Sequence, residues 1–319
     1  MRKIPRPKAS SLRASRQPGP KRRIPDPPHA LLLRSLSRRW TTFLGELRTV
    51  RAAGSQPEVH DLRVAIRRLV AAIDLASAIS PSKQLATVRR QLKGLLKRLG
   101  LLRDAEVQLL SLRELMQGSP ELGAIATVLL LRKRRDLRRV VRRLERLQTR
   151  QMQQVVLKAS GDIRASEAKP PVRSASRTLL EASLAEAFLR LVHRRQALDG
   201  ADPATIHRLR ISFKKFRYTT EILRPDAEKA LHDVMDAFQT QMGEIRDLEV
   251  LMRSIADFKV RRRLPPSPPA PGRVVSPDGL EKVQRRLRRR HGVLVRRFMR
   301  SVDRLYLFYG QDDRTASNT

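Results

Sequence analysis

The 319-residue sequence contains no cysteine, which excludes a disulfide framework and any zinc site built on thiolates. Aromatic residues make up only 4% of it, too few for the rows of stacking platforms with which proteins hold single-stranded nucleic acid. The longest apolar run, "AIATVLLL" at 124–131, is too short to cross a bilayer as a helix. The N-terminal stretch "MRKIPRPKASSLRASRQPGPKRRIPDPP" has no apolar segment of the kind a secretory signal requires. The expectation is a soluble, cytoplasmic chain with no membrane partner.

Acidic residues are scarce as well. Against 31 Asp and Glu stand 68 Lys and Arg, a net charge of +37. Such a field repels cations and concentrates polyanions, so the natural partners are nucleic acid, polyphosphate or an anionic membrane surface. Arginine supplies 54 of the 68 cations, and its planar fork donates two parallel hydrogen bonds to a phosphate.

Proline divides the chain. Residues 1–28 combine nine Lys and Arg with repeated proline and little to bury, and read as a disordered basic tail. "KPPVRSAS" from Lys169 marks a second break. A proline-rich linker at 261–278 marks a third, and 311–319 reads as a C-terminal tail. Between the breaks, apolar residues recur at three- and four-residue spacing, so the fold class is all-α. Helices are expected at about 29–52, 58–79, 82–117 and 120–158, then at 174–199, 203–224, 226–259 and 279–309.

The two sets of helices correspond. "VHDLRVAIRRLV" from Val59 returns as "IHRLRISFKKFR" from Ile206, 147 positions on, and "LGLLRDAEV" from Leu99 returns as "MGEIRDLEV" from Met242 at an offset of 143. Two motifs in one order at nearly one offset indicate a tandem duplication of a four-helix unit, repeat one at 29–158 and repeat two at 174–310. The simplest packing is two bundles about a pseudo-twofold axis.

At about 100° per residue from His60, the apolar Leu62, Ile66, Leu69 and Ile73 fall between about 180° and 240°, with Arg63 near 300° and Arg67 near 340°. The second copy places His207, Arg210, Lys214 and Arg217 on the same arc. The basic stripe therefore borders the core stripe. Cations there are partly desolvated and repel one another, so they need a partner. Asp104, Glu106, Asp247 and Glu249 are the carboxylates at hand, and they are too few. Arg68 and Lys215, near 80°, read as ordinary solvated residues.

These segments resemble the two halves of a CHAD domain, the conserved-histidine α-helical domain, over roughly residues 29–310. The resemblance implies a pseudo-symmetric bundle of long helices around a basic central channel. It implies binding of inorganic polyphosphate and association with polyphosphate granules. Matched position by position, the phosphate-contacting set is His60, Arg63, Arg67, His207, Arg210, Lys214 and Arg217. The sequence departs from the family at Val70, where a further basic residue often stands. Lys93 and Lys97 join the expected set on the flank of the third helix. Their counterparts are Asp236 and Thr240, so the halves should not bind equally.

No Walker loop and no H-E-x-x-H spacing occurs in the sequence. The expected function is non-enzymatic polyphosphate binding, with no cofactor and no metal. Phosphate-directed nucleic-acid binding is the alternative, since a chain of this charge holds duplexes weakly at low salt. Bound polyanion should favour the imidazolium of His60 and His207, so that affinity rises as pH falls through the histidine range.

Overall fold

The computed structural model describes residues 26–52, 56–116, 122–225, 229–263 and 277–309. The described residues form α-helices and one 3₁₀ segment, with no strand. In chain order the helices are α1 (Pro28–Ala52), α2 (Gln56–Ile79), α3 (Lys83–Met116), α4 (Leu122–Glu145), α5 (Thr149–Glu167), α6 (Pro170–Gln196), α7 (Pro203–Leu223), α8 (Lys229–Arg263) and α9 (Pro277–Ser301). A 3₁₀ turn over Val302–Phe308 ends them. The expected tails and linker lie largely outside the described residues, at 1–25, 264–276 and 310–319.

Neighbouring helices pack as hairpins, α1 on α2 and α3 on α4 in the first half, α6 on α7 and α8 on α9 in the second. α2 crosses α7, and α3 meets α8, so the helices carrying the two motif copies lie side by side at the centre. Three apolar clusters hold this arrangement. The first joins α1, α2, α3, α5 and the end of α4. A second is built from α6–α9 and the 3₁₀ turn, where Phe213, Phe238 and Phe298 pack ring against ring at 4.8 and 5.5 Å between centroids. The third runs across the centre, from Leu122, Ile125 and Leu129 of α4 through Leu112 of α3 and Leu248, Leu251 and Ile255 of α8 to Leu280, Val283 and Leu287 of α9. Both α4 and α9 thus bury one apolar stripe and turn their arginines outward.

Two expected boundaries are corrected. The single helix expected over 120–158 is broken into α4 and α5 around Leu147. Leu144 and Met152 are both buried in the first cluster, and the chain must turn between them to keep both there. Arg51, in the last turn of α1, donates to the Leu144 carbonyl and satisfies the exposed end of α4. No proline or glycine marks the place, so periodicity runs straight through it. At "KPPVRSAS", conversely, there is no linker. Lys169 is extended, at φ −103° and ψ 111°, and Pro170 with Pro171 opens α6, where a missing N–H costs nothing. The second set of helices begins at 170, and nine α-helices stand among the described residues where eight were expected.

Phe298 is fully buried between Phe238 and the 3₁₀ turn. Phe298→Ala should cost about 3–5 kcal/mol of stability, the range for an emptied aromatic site. Chemical denaturation followed by circular dichroism measures it.

Candidate functional site: a buried cationic cluster

The register of α2 and α7 decides which side chains meet at their crossing. Buried Leu62, Ile66 and Leu69 fix α2, and Leu209, Phe213 and Phe216 fix α7. The residues one position beyond or two short of these anchors, Arg63, Arg67, Arg210 and Lys214, then face each other near α3 and α8. Each of the four lies within electrostatic reach of others in the group. Arg63 feels Arg67 and Arg210, while Lys214 feels Arg67, Arg210 and Arg63.

Arg63 is only 9% exposed. Its Nη1 donates a long hydrogen bond, 3.5 Å, to the Leu96 carbonyl, and it can approach because the adjacent residue of α3 is Gly100. A Cβ there would stand 3.1 Å from Arg63 Nη1. Gly243 holds the matching place on α8, where a Cβ would lie 3.9 Å from Arg210 Nη2. These glycines recur in both motif copies. Their signal in the sequence was that repetition, and its meaning is room for a guanidinium against the helix backbone.

Burial lowers the pKa of Lys214 to about 6, helped by Arg67, Arg210 and Arg63 and only partly opposed by Asp247. Arg63 is lowered to about 10, first by burial and then by Arg67. Arg210 is lowered for the same reasons. Among the described residues, no carboxylate comes within 4 Å of the side-chain nitrogens of Arg63, Arg67, Arg210 or Lys214. Arg210 Nε and His207 Nδ1 are buried with no hydrogen-bond partner. Asp104 for Arg63, and Asp247 for Arg210 and Lys214, compensate in part through space, and burial raises the pKa of Asp247. Arg103 and Arg246, of the two Arg-Asp blocks, add further positive charge at His60 and His207. Sequence reasoning left both arginines out of the set.

The histidines sit at the edges. His60 is exposed and His207 half-buried. Both are held below the ordinary imidazole value, first by burial and next by Arg103 for His60 and Arg246 for His207. Glu106 and Glu249 do serve as pairing carboxylates, but for other cations. Glu106, 2% exposed, holds Lys133 of α4 at 3.3 Å. Glu249 holds Arg246 at 3.3 Å and His291 of α9 at 3.5 Å. They tie the outer basic helices to α3 and α8, and Glu106 acts on Arg63 only through space, with no ion pair.

Three expected residues fall elsewhere. Lys93 and Lys97 are exposed on α3, outside the buried cluster. Arg217 is 7% exposed but ion-paired, with Asp236 and with Glu221 at 3.2 Å. Arg68 is not an ordinary solvated residue: its Nε donates to Glu221 at 3.1 Å. Arg39 joins the same carboxylate at 3.6 Å and donates to the Arg68 carbonyl at 2.7 Å. This network lines a groove of about 1000 Å³ between α1, α2, α7 and α8. The groove uses the Asp61, Val64, Ala65 and Arg68 face of α2, a different face from that of Arg63 and Arg67.

Lys214 is a group whose folded pKa lies below its unfolded value. Between its ordinary value near 10.5 and about 6, the unfolded chain binds the extra proton, so folding loses stability as pH falls through that window and no further below it. The ligand-free melting temperature should therefore drop from pH 9 to pH 6.5. Lys214→Met should flatten that slope, as read by differential scanning calorimetry.

A family model for the CHAD domain matches residues 34–256. The fold is similar to the crystal structure of the CHAD domain from the plant Ricinus communis, with a TM-score of 0.64 at 17% identity over 86% of this chain and 91% of that one. It is also similar to PptA from Streptomyces chartreusis, with a TM-score of 0.54 at 15% identity over 86% of this chain and 99% of that one. No curated protein sequence matches the chain. With the family model spanning more than half of its length and an all-helical fold to match, the chain belongs to the CHAD domain family.

Proposed function

We propose that the protein binds inorganic polyphosphate, without hydrolysing it, in a basic channel that passes between two pseudo-symmetric helical units. The observation that carries this reading is Lys214, driven down to about 6 in the company of Arg63, Arg67 and Arg210 with no carboxylate in contact. A fold keeps unneutralised cations together at a cost in stability. A ligand with several closely spaced anions removes that cost, and removes it better than a single phosphate would. The oxygens of a linear phosphate chain suit the arginine forks and accept from Arg210 Nε and His207 Nδ1, two donors of the cluster that have no partner among the described residues.

Matching positions of the two motif copies, Arg63 with Gly100 and Arg210 with Gly243, support the two-unit channel. The family supports the substrate class. The phenylalanines are spent on packing one another in the core, which favours a ligand with no bases to stack. Granule association follows from the same reading, since a protein that grips polyphosphate gathers wherever it accumulates.

The test is a competition of long-chain polyphosphate against duplex DNA at physiological salt, followed by an assay for released orthophosphate. Polyphosphate should win and no orthophosphate should appear. Arg63→Ala with Arg210→Ala should weaken binding sharply, at about 1.5–3 kcal/mol for each charged hydrogen bond lost. Arg286→Ala with Arg289→Ala, which removes equal charge from the exposed face of α9, should cost far less. Equal losses, or a DNA preference, would show diffuse electrostatics instead.

A further inference from the structure

The two sides of the central cluster are built differently. On α3, Gly100 beside Arg63 is followed on the same face by Lys97 and Lys93, about 10 Å along the helix. Lys93 and Lys97 are exposed, Lys215 of α7 is exposed and close enough to act on Lys93, and the local carboxylate, Asp74, is ion-paired to Arg89 and acts on Lys93 only through space. No carboxylate among the described residues pairs with Lys93, Lys97 or Lys215.

The corresponding line on α8 runs from Gly243, beside Arg210, through Thr240 to Asp236. Asp236 is ion-paired to Arg217. Glu221, at the place matching Asp74, takes Arg217, Arg68 and Arg39 together. Where one side presents three exposed lysines, the other closes its arginines on two carboxylates of its own.

We propose that the phosphate path leaves the central cluster on one side only: a polyphosphate chain runs out along Lys97, Lys93 and Lys215, while on the opposite side, along the groove of about 1000 Å³, Asp236 and Glu221 act as built-in counter-anions that already neutralise Arg217. The inference rests on the polyphosphate reading above. Asp236 is then a residue that determines where a long chain runs. A phosphate chain passing Arg217 would have to displace two carboxylates already in contact with it, one of them in a half-buried network where an unpaired charge is costly. Along Lys93 it displaces only water. The central cluster alone accommodates a short chain, and the lysine arm adds contacts that only a longer chain reaches.

The experiment compares tripolyphosphate with long-chain polyphosphate by fluorescence titration at fixed ionic strength. Lys93→Ala with Lys97→Ala should lower affinity for the long chain several-fold and leave tripolyphosphate within twofold. Asp236→Lys should raise long-chain affinity several-fold by removing one of the two carboxylates on Arg217 and restoring a lysine at the place matching Lys93. Glu181→Lys on the exposed face of α6 makes the same change in net charge and should raise it less than twofold. An unchanged long-chain affinity in the lysine variant, or equal gains from Asp236→Lys and Glu181→Lys, overturns the one-sided channel. The Arg63→Ala, Arg210→Ala variant separates the two claims. If it keeps wild-type affinity for tripolyphosphate, the polyphosphate reading itself fails; if it loses that affinity while the arm variants behave as wild type, only the one-sided channel is wrong.

Discussion

Repulsion among Arg63, Arg67, Arg210 and Lys214 is the constraint around which the rest of the molecule is arranged. Four cations meet where α2 crosses α7, at the margin of apolar clusters that anchor both helices through Leu62, Ile66, Leu209 and Phe213. The packing that places them cannot be relaxed without opening the core. The field is therefore met in the folded chain by losing a proton from Lys214 and by the partial help of Asp247. An anion supplied from outside does the same job better. The site in this account is a position where folding leaves positive charge unpaid.

The carboxylates are distributed accordingly. Glu106 and Glu249 are buried and would be the natural partners of the central arginines, yet they are turned to Lys133 and to Arg246 with His291. Glu221 and Asp236 neutralise Arg217, Arg68 and Arg39. In the central group, and at the lysines of α3 and α7, no carboxylate of the described residues forms an ion pair. A chain with 31 acidic residues against 68 basic ones cannot neutralise every site; the outward arginines of α4 and α9 meet solvent, while the central group is the part of the deficit that is buried.

Much of this was legible in the residues. The 3.6-residue apolar period gave the helices, and the recurrence of the His-Arg-basic stripe placed Arg63, Arg67, Arg210 and Lys214 beside the core. The glycines at 100 and 243 were visible as repeated letters, but their role depends on which side chain crosses the helix, and only packing tells that. The turn at Leu147 escaped because no proline or glycine marks it; tertiary anchoring of Leu144 and Met152 makes it. The ion pairs of Arg68 and Arg217 went unseen for one reason. Helical phase says which way a side chain leaves its own helix and nothing of the carboxylate that Glu221 or Asp236 brings from elsewhere. Lys93 and Lys97 differ from Asp236 and Thr240 in the bare sequence, and the structure adds what each one faces.

The claim that outside anion replaces the missing counter-charge is tested most directly by counting protons. Isothermal titration calorimetry of polyphosphate binding at pH 7.5, repeated in buffers of different ionisation enthalpy, reads the protons taken up per complex. The expected result is uptake of about one proton by Lys214, whose free-state value near 6 leaves it neutral at that pH until the anion restores its charge. Lys214→Met should abolish most of that uptake. Binding with no proton uptake, or with the same uptake in wild type and Lys214→Met, would contradict it.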